Sequence, residues 1–121
     1  MLNALNTTLD EGEAMIADSV EFLVGSGRRV MVDAEHFFDG YKHNPEFAMR
    51  ALEAAAVKGA SHLVLCDTNG GSLPHEVEAI VASVKAHFRD DLVIAIHCHD
   101  DTGCAVANAM AAVRAGARQV Q

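Results

Sequence analysis

The sequence predicts an α/β protein in which helices alternate with the strands of a parallel sheet. Three apolar runs of strand length, at residues 29–34, 62–66 and 92–96, are separated by segments of helix length, and a fourth run opens at 119–121. The centres of these runs recur every ~25 to 33 residues, the spacing of one strand-helix unit. The runs lack polar alternation, which predicts strands buried on both faces, as in a barrel or a doubly wound sheet.

The segments between the strands carry helix signals. Thr8 and Glu11 have the spacing of a capping box, the second helix is expected over residues 45–58, the third begins near Pro74, and the fourth covers residues 102–115. Residues 35–44 are expected to form a polar loop. The stripes predicted to face the sheet are Ile16, Val20 and Leu23 in the first helix, Ala48, Ala51, Leu52 and Ala55 in the second, Val77, Ile80, Val81 and Val84 in the third, and Val106, Ala109, Met110 and Val113 in the fourth.

The length of 121 residues predicts a single domain. A complete (β/α)₈ barrel (TIM barrel) needs roughly 250 residues, so the chain is expected to form about half of such a barrel, with residues 1–121 as one partial domain. Half a barrel would leave two strand edges and an uncovered inner face. We therefore expect self-association or a homo-oligomer.

Composition narrows the classes of partner. The formal net charge is −8 without a cluster of lysine and arginine, so nucleic acid is not expected as a partner. Residues 1–9 lack a basic region followed by an apolar run, and no stretch reaches the roughly 18 apolar residues of a membrane-spanning helix. Three cysteines without paired spacing fit a reducing compartment. The sequence predicts a cytoplasmic protein with no membrane association.

Two histidines stand at the end of the third strand run. Side chains alternate along a strand, so His97 and His99 lie on one face while Cys98 points to the other. Two neutral imidazoles can converge on one divalent ion, and Asp100 or Asp101 could orient a ligand ring through its free N–H. The alternative is that the histidines only make a solvated strand end polar.

Polar residues follow every complete strand run, and parallel strands bring these positions to one rim. The carboxyl-terminal rim of a parallel barrel is where such enzymes gather active-site groups. The residues concerned are Asp33 and Glu35 after the first strand, Asp67 and Thr68 after the second, and His97, His99 and Asp100 at the third.

Two of these residues are candidates for substrate chemistry. Glu35 could act as a base or orient one, although a solvated loop carboxylate is the alternative. Thr68 could donate a hydrogen bond to a substrate carboxylate, although threonine in a turn often bonds its own backbone. Cys98 and Cys104 are expected to pack in the interior and not to bind a metal.

Three parts of the chain carry a family resemblance. They are DAEHFFDGYK (33–42), LCDTNGG (65–71) with LPHE (73–76), and IHCH (96–99) with DTGCAVAN (101–108). Together they resemble the citramalate synthase and 2-isopropylmalate synthase group. This group belongs to the acyl-CoA-condensing TIM-barrel metalloenzymes, which include homocitrate synthase and hydroxymethylglutaryl-CoA lyase. The resemblance implies a divalent cation (Mn²⁺, Mg²⁺ or Zn²⁺), acetyl-CoA and a 2-oxo acid as substrates, and a role in isoleucine or leucine biosynthesis. The DAEHFF form resembles citramalate synthase most, which implies pyruvate as the acceptor.

Carried over by position, the resemblance makes His97 and His99 metal ligands, Glu35 an acidic residue that lines the active site, and Thr68 a substrate contact. The group usually has Asn where this chain has Asp100. The segment with the group's first metal-binding Asp and the strand after Gln121 are missing, so this part alone is expected to be inactive. A carbon-carbon lyase or a non-catalytic α/β remnant remains the alternative.

Overall fold

A computed structural model describes residues 7–121 and confirms the alternation of helices and strands. Residues 1–6, part of the segment 1–9 that lacks the sequence pattern of a leader, lie outside the described part. In chain order the elements are α1 (Leu9–Gly25), β1 (Met31–Ala34), α2 (Phe37–His43), α3 (Pro45–Val57), β2 (His62–Asp67), α4 (Pro74–His87), β3 (Val93–Cys98), α5 (Ala105–Arg114) and β4 (Gln119–Val120).

The four strands form one parallel sheet in the order β1-β2-β3-β4. β2 and β3 pair over their full lengths, from His62 beside Val93 to Asp67 beside Cys98. This order without reversal is the order of strands in the wall of a (β/α)₈ barrel, whereas a complete doubly wound sheet reverses its strand order at a switch point. All carboxyl ends therefore lie at one rim, as predicted.

The main core lies between the sheet and its helices. Side chains of β2 and β3 that face the helices are fully buried against α4, whose predicted stripe is confirmed: Leu63, Leu65, Ile94 and Ile96 pack with Val77, Ile80, Val81 and Val84. Val64, Cys66 and Ala95 alternate with these residues on the inner face and are also buried. The expectation of an uncovered inner face is therefore wrong at the two central strands, where the side chains are small.

Residues 35–44 are not the predicted polar loop, because Phe37–His43 form the helix α2. Phe37 and Phe38 are buried, and the rings of Phe37 and Tyr41, one helical turn apart, have centroids 5.8 Å apart. In α1 the cap is confirmed, since the Glu11 amide donates to Thr8 Oγ1 at 3.1 Å.

The predicted inward stripe of the last helix is wrong. Val106 is 76% exposed and Met110 60% exposed, whereas Ala111 and Ala112 are fully buried. The helix α5 packs closely against α4 and β3, so small side chains occupy the contact. Leu23 in α1 is likewise 41% exposed. Within residues 7–121 no helix combines the length and the apolar character needed to cross a bilayer.

Candidate active site

The two histidines lie together at the carboxyl end of β3. His97 pairs in register with Cys66 of β2 and therefore faces the inner side of the sheet. The His97 and His99 rings have centroids 5.2 Å apart and are tilted by 53°. Cys98 packs against the main core on the opposite face. The predicted division of these three side chains between the two faces is confirmed.

This spacing fits two ligands of one ion. An imidazole nitrogen binds Zn²⁺ at roughly 2.0–2.1 Å, which places each ring centroid about 3.2 Å from the metal, so rings 5.2 Å apart can share it. No group of three His, Cys, Asp or Glu side chains with metal-binding geometry occurs within residues 7–121. The described chain thus offers two imidazoles, and the metal assignment stays a prediction.

Glu35 and Thr68 are brought together across the ends of β1 and β2. The Thr68 hydroxyl donates to Glu35 Oε2 at 2.7 Å and accepts from the His36 amide at 2.7 Å. His36 has a positive φ of 57° as it begins α2. Because a hydroxyl has one proton, donation to a substrate carboxylate would compete with donation to Glu35. In this structure Thr68 bonds neither its own backbone nor the histidine pair.

Asp67, the residue before Thr68, faces the interior. It is 1% exposed, and its carboxylate accepts from the Ser72 amide and from the Ser72 hydroxyl, each at 3.1 Å. Its backbone carbonyl accepts from the His99 amide at 3.3 Å. Asp67 therefore shapes the loop that carries Thr68 and supports the backbone of His99. Its side chain belongs to the Cys98 face, so the expectation that it contributes to the polar rim is wrong.

The loops after β2 and β3 are joined by hydrogen bonds. The Gly70 carbonyl accepts from the Thr102 amide at 3.2 Å and from the Thr102 hydroxyl at 2.8 Å. Deeper in the structure, the buried Asn108 of α5 donates to the Ser72 carbonyl at 2.8 Å. These bonds couple the loop that bears Thr68 to the segment that bears His99.

Asp100 caps the last helix. Its Oδ1 accepts from the Ala105 amide at 2.9 Å, and a carboxylate at a helix N-terminus is also favoured by the helix dipole. The oxygen that accepts here is present in asparagine as well. The replacement of the group's usual Asn by Asp100 therefore preserves this local bond.

The cysteines beside the histidines remain neutral thiols. Burial, reinforced by the charges of Glu35 and Asp33, raises the pKa of Cys66 to about 12. Burial and the nearby Asp67 raise the pKa of Cys98 to about 11. A metal ligand has to be the thiolate, so packing is the role that this environment favours.

Sequence reasoning missed a contact made by the last residue of the chain. Gln121 Oε1 lies 3.3 Å from Nδ1 of His97. The signal was available in the register, because Val120 pairs with Ile96 and the next positions are Gln121 and His97. The local pattern of residues 119–121 predicts only the opening of a strand and carries no information on the partner of Gln121.

An all-parallel sheet with imidazoles and a carboxylate at its carboxyl-terminal rim is typical of (β/α)₈-barrel enzymes. The HMGL-like family matches residues 2–121, and the chain belongs to this family. The HMGL-like domain is a TIM barrel, so the predicted fold is confirmed as part of that barrel.

Curated relatives match nearly the whole chain. It is 58% identical over 118 residues to the (R)-citramalate synthase of Streptomyces coelicolor, covering 98% of this chain and 22% of the relative. The (R)-citramalate synthase of Aquifex aeolicus is 56% identical over the same shares. The 2-isopropylmalate synthase of Acidimicrobium ferrooxidans is 35% identical over 97% of this chain and 24% of its own length. The resemblance predicted from the motifs is confirmed, and the chain spans less than a quarter of these relatives.

Proposed function

We propose that the chain forms part of the active site of a metal-dependent enzyme that condenses acetyl-CoA with a 2-oxo acid, with pyruvate as the acceptor and citramalate as the product. The supporting observation is that the His97 and His99 pair, at the end of β3, and the Thr68 and Glu35 pair, at the ends of β2 and β1, lie at one rim of the sheet. The product belongs to isoleucine biosynthesis. With 2-oxoisovalerate the product would be 2-isopropylmalate, on the way to leucine.

The residues fit the parts of this reaction. A base removes a proton from the acetyl-CoA methyl group, the carbanion attacks the keto carbon, and the keto oxygen takes up a proton. Water then cleaves the thioester and releases CoA. A divalent cation held by His97 and His99 would supply Lewis acidity toward the keto oxygen. Glu35 accepts the proton or aligns the group that does, and Thr68 keeps its carboxylate in place.

A chimera tests the proposal in a complete barrel. Residues 2–121 would replace the aligned segment of the Streptomyces coelicolor relative, and CoA release would be measured with pyruvate, acetyl-CoA and Mn²⁺ or Mg²⁺. We expect turnover in the chimera and none in the isolated chain. In the chimera, His97→Ala and His99→Ala should lower metal content and abolish CoA release.

Cys98→Ala is the matched control, since its side chain faces the core from the position between the two histidines. It should leave metal content and CoA release intact. Equal losses in all three variants would contradict the assignment of ligands by strand face.

The role of Glu35 is tested by Glu35→Gln in the same chimera. The amide keeps the size of the carboxylate and cannot take a proton, so turnover should fall much more than metal content. If metal loss accounted for the whole defect, Glu35 would be a ligand or a fold element. Supplying citramalyl-CoA in place of the forward substrates, and following the release of acetyl-CoA and pyruvate, tests the alternative of a carbon-carbon lyase.

A further inference from the structure

The last strand brings a glutamine side chain against one of the proposed ligands. Gln121 Oε1 lies 3.3 Å from His97 Nδ1, and the Gln121 amide donates to the Ile96 carbonyl at 2.9 Å. The sheet ladder thereby fixes the backbone from which this side chain extends. We propose that Gln121 is a positioning residue, which keeps the proton of His97 on Nδ1 and leaves the Nε2 lone pair for a divalent cation. The part of this inference that concerns the divalent cation rests on the proposed function.

The chemistry of the two groups determines the direction of the bond. An amide oxygen only accepts hydrogen bonds, so a hydrogen bond between Gln121 Oε1 and His97 requires the proton on Nδ1. A neutral imidazole has one N–H and one lone pair, and the lone pair is then on Nε2. Ligand histidines commonly donate their other N–H to an acceptor of this kind, which fixes both the tautomer and the ring orientation.

The same strand supplies a matched control. Gln119 pairs in register with Ala95, one layer below the level of His97. Because side chains alternate along a strand, Gln119 and Gln121 share the inner face, and Val120 lies between them on the other. The variants Gln121→Met and Gln119→Met make the same change of side chain, but only the first removes the acceptor beside His97.

The tautomer is measured directly by nitrogen NMR of the chain labelled with ¹⁵N-histidine, at about pH 8.5, roughly two units above the usual histidine pKa. We expect the parent and Gln119→Met to carry the His97 proton on Nδ1, and Gln121→Met to lose this preference. Gln121→Glu keeps an acceptor oxygen and should retain the Nδ1 proton. His99 provides the internal reference, with the same signals in all four proteins. An Nε2 proton in the parent, or an unchanged tautomer in Gln121→Met, would overturn the inference.

Metal affinity provides the second readout, by competition with a chelator for Mn²⁺ or Zn²⁺ in the metal-free chimera. Loss of an acceptor beside a ligand histidine typically lowers metal affinity about 10- to 100-fold, and we expect this for Gln121→Met alone. Equal affinity in Gln121→Met and the parent would refute the positioning role and leave the proposed function intact. If even the parent bound no metal, the proposed function would fail, and the tautomer measurement would still decide the contact between Gln121 and His97.

Discussion

The loops after β2 and β3 meet at Gly70, and replacing this glycine with alanine should separate them. Its φ is +60°, which side chains rarely adopt. A Cβ there would lie 2.5 Å from Asp101 Oδ1 and 2.7 Å from the Asp101 backbone nitrogen. The side-chain oxygen can rotate away, but the backbone nitrogen can move only with the loop that carries His99.

The expected loss of stability is the sum of two effects. A non-glycine residue in the left-handed region costs about 1–2 kcal/mol, and forcing an extra carbon into an occupied space costs about 1–3 kcal/mol. Gly70→Ala should therefore lower the free energy of unfolding by about 2–5 kcal/mol. That is a large share of the roughly 5–15 kcal/mol that keeps a domain folded.

The adjacent glycine is the control. A Cβ on Gly71 would meet nothing within 4 Å, and its φ lies outside the positive range. Gly71→Ala should change stability by less than about 1 kcal/mol, with a gain as the expected direction. Urea unfolding of both variants, followed by circular dichroism, gives the comparison. Equal losses, or a harmless Gly70→Ala, would refute the reasoning from loop proximity.

Three further predictions concern the rim, the thiols and the chain's own association. Thr68→Val removes the hydrogen bond to Glu35 and should lower turnover of the chimera about 10- to 100-fold, whereas Thr68→Ser should retain most of it. The raised pKa values of Cys66 and Cys98 mean that the unfolded chain releases thiol protons first, so stability should fall as pH rises from about 9 to about 12. The decline should be smaller in Cys66→Ala, and an identical slope would exclude a contribution from this thiol. Light scattering of the isolated chain should show species larger than a monomer. The variant Met110→Lys, on the exposed face of α5, should reduce the share of these larger species. A parent chain that is strictly monomeric would contradict the expectation of self-association.

The fold could be predicted where the burial of an element is reflected in its apolar pattern. Residues 62–66 and 92–96 are apolar without alternation because both faces of the central strands are covered, and this pattern locates β2 and β3 within two residues. α2 was missed because polar residues and an Asp-Gly pair surround Phe37 and Phe38. The helical spacing of Phe37 and Tyr41 was the available signal for a helix, but the polar composition of residues 35–44 favoured a loop.

The placement of a site side chain could be predicted where it follows from the alternation of side chains along one strand. The shared face of His97 and His99 follows from their spacing, and the register confirms that it is the inner face. The partner of Thr68 could not be predicted in this way. Glu35 lies 33 residues away in the chain, and the two meet only because adjacent parallel strands end at the same level. Local rules for turns therefore suggested a bond of Thr68 to its own backbone, whereas the tertiary structure supplied the Glu35 carboxylate and the His36 amide.

The error in α5 has a physical cause that applies to any helix on a parallel sheet. Hydrophobic periodicity identifies an apolar stripe without identifying what covers it, and α5 has apolar residues on more than one side. The side in contact with α4 and β3 uses alanine because the backbones approach closely there. Val113 and Met110 instead face a groove that Val120 of β4 also lines. In a (β/α)₈ barrel each helix packs against a neighbour on both sides, so the larger residues of α5 mark the side on which a following strand-helix unit of the barrel would pack.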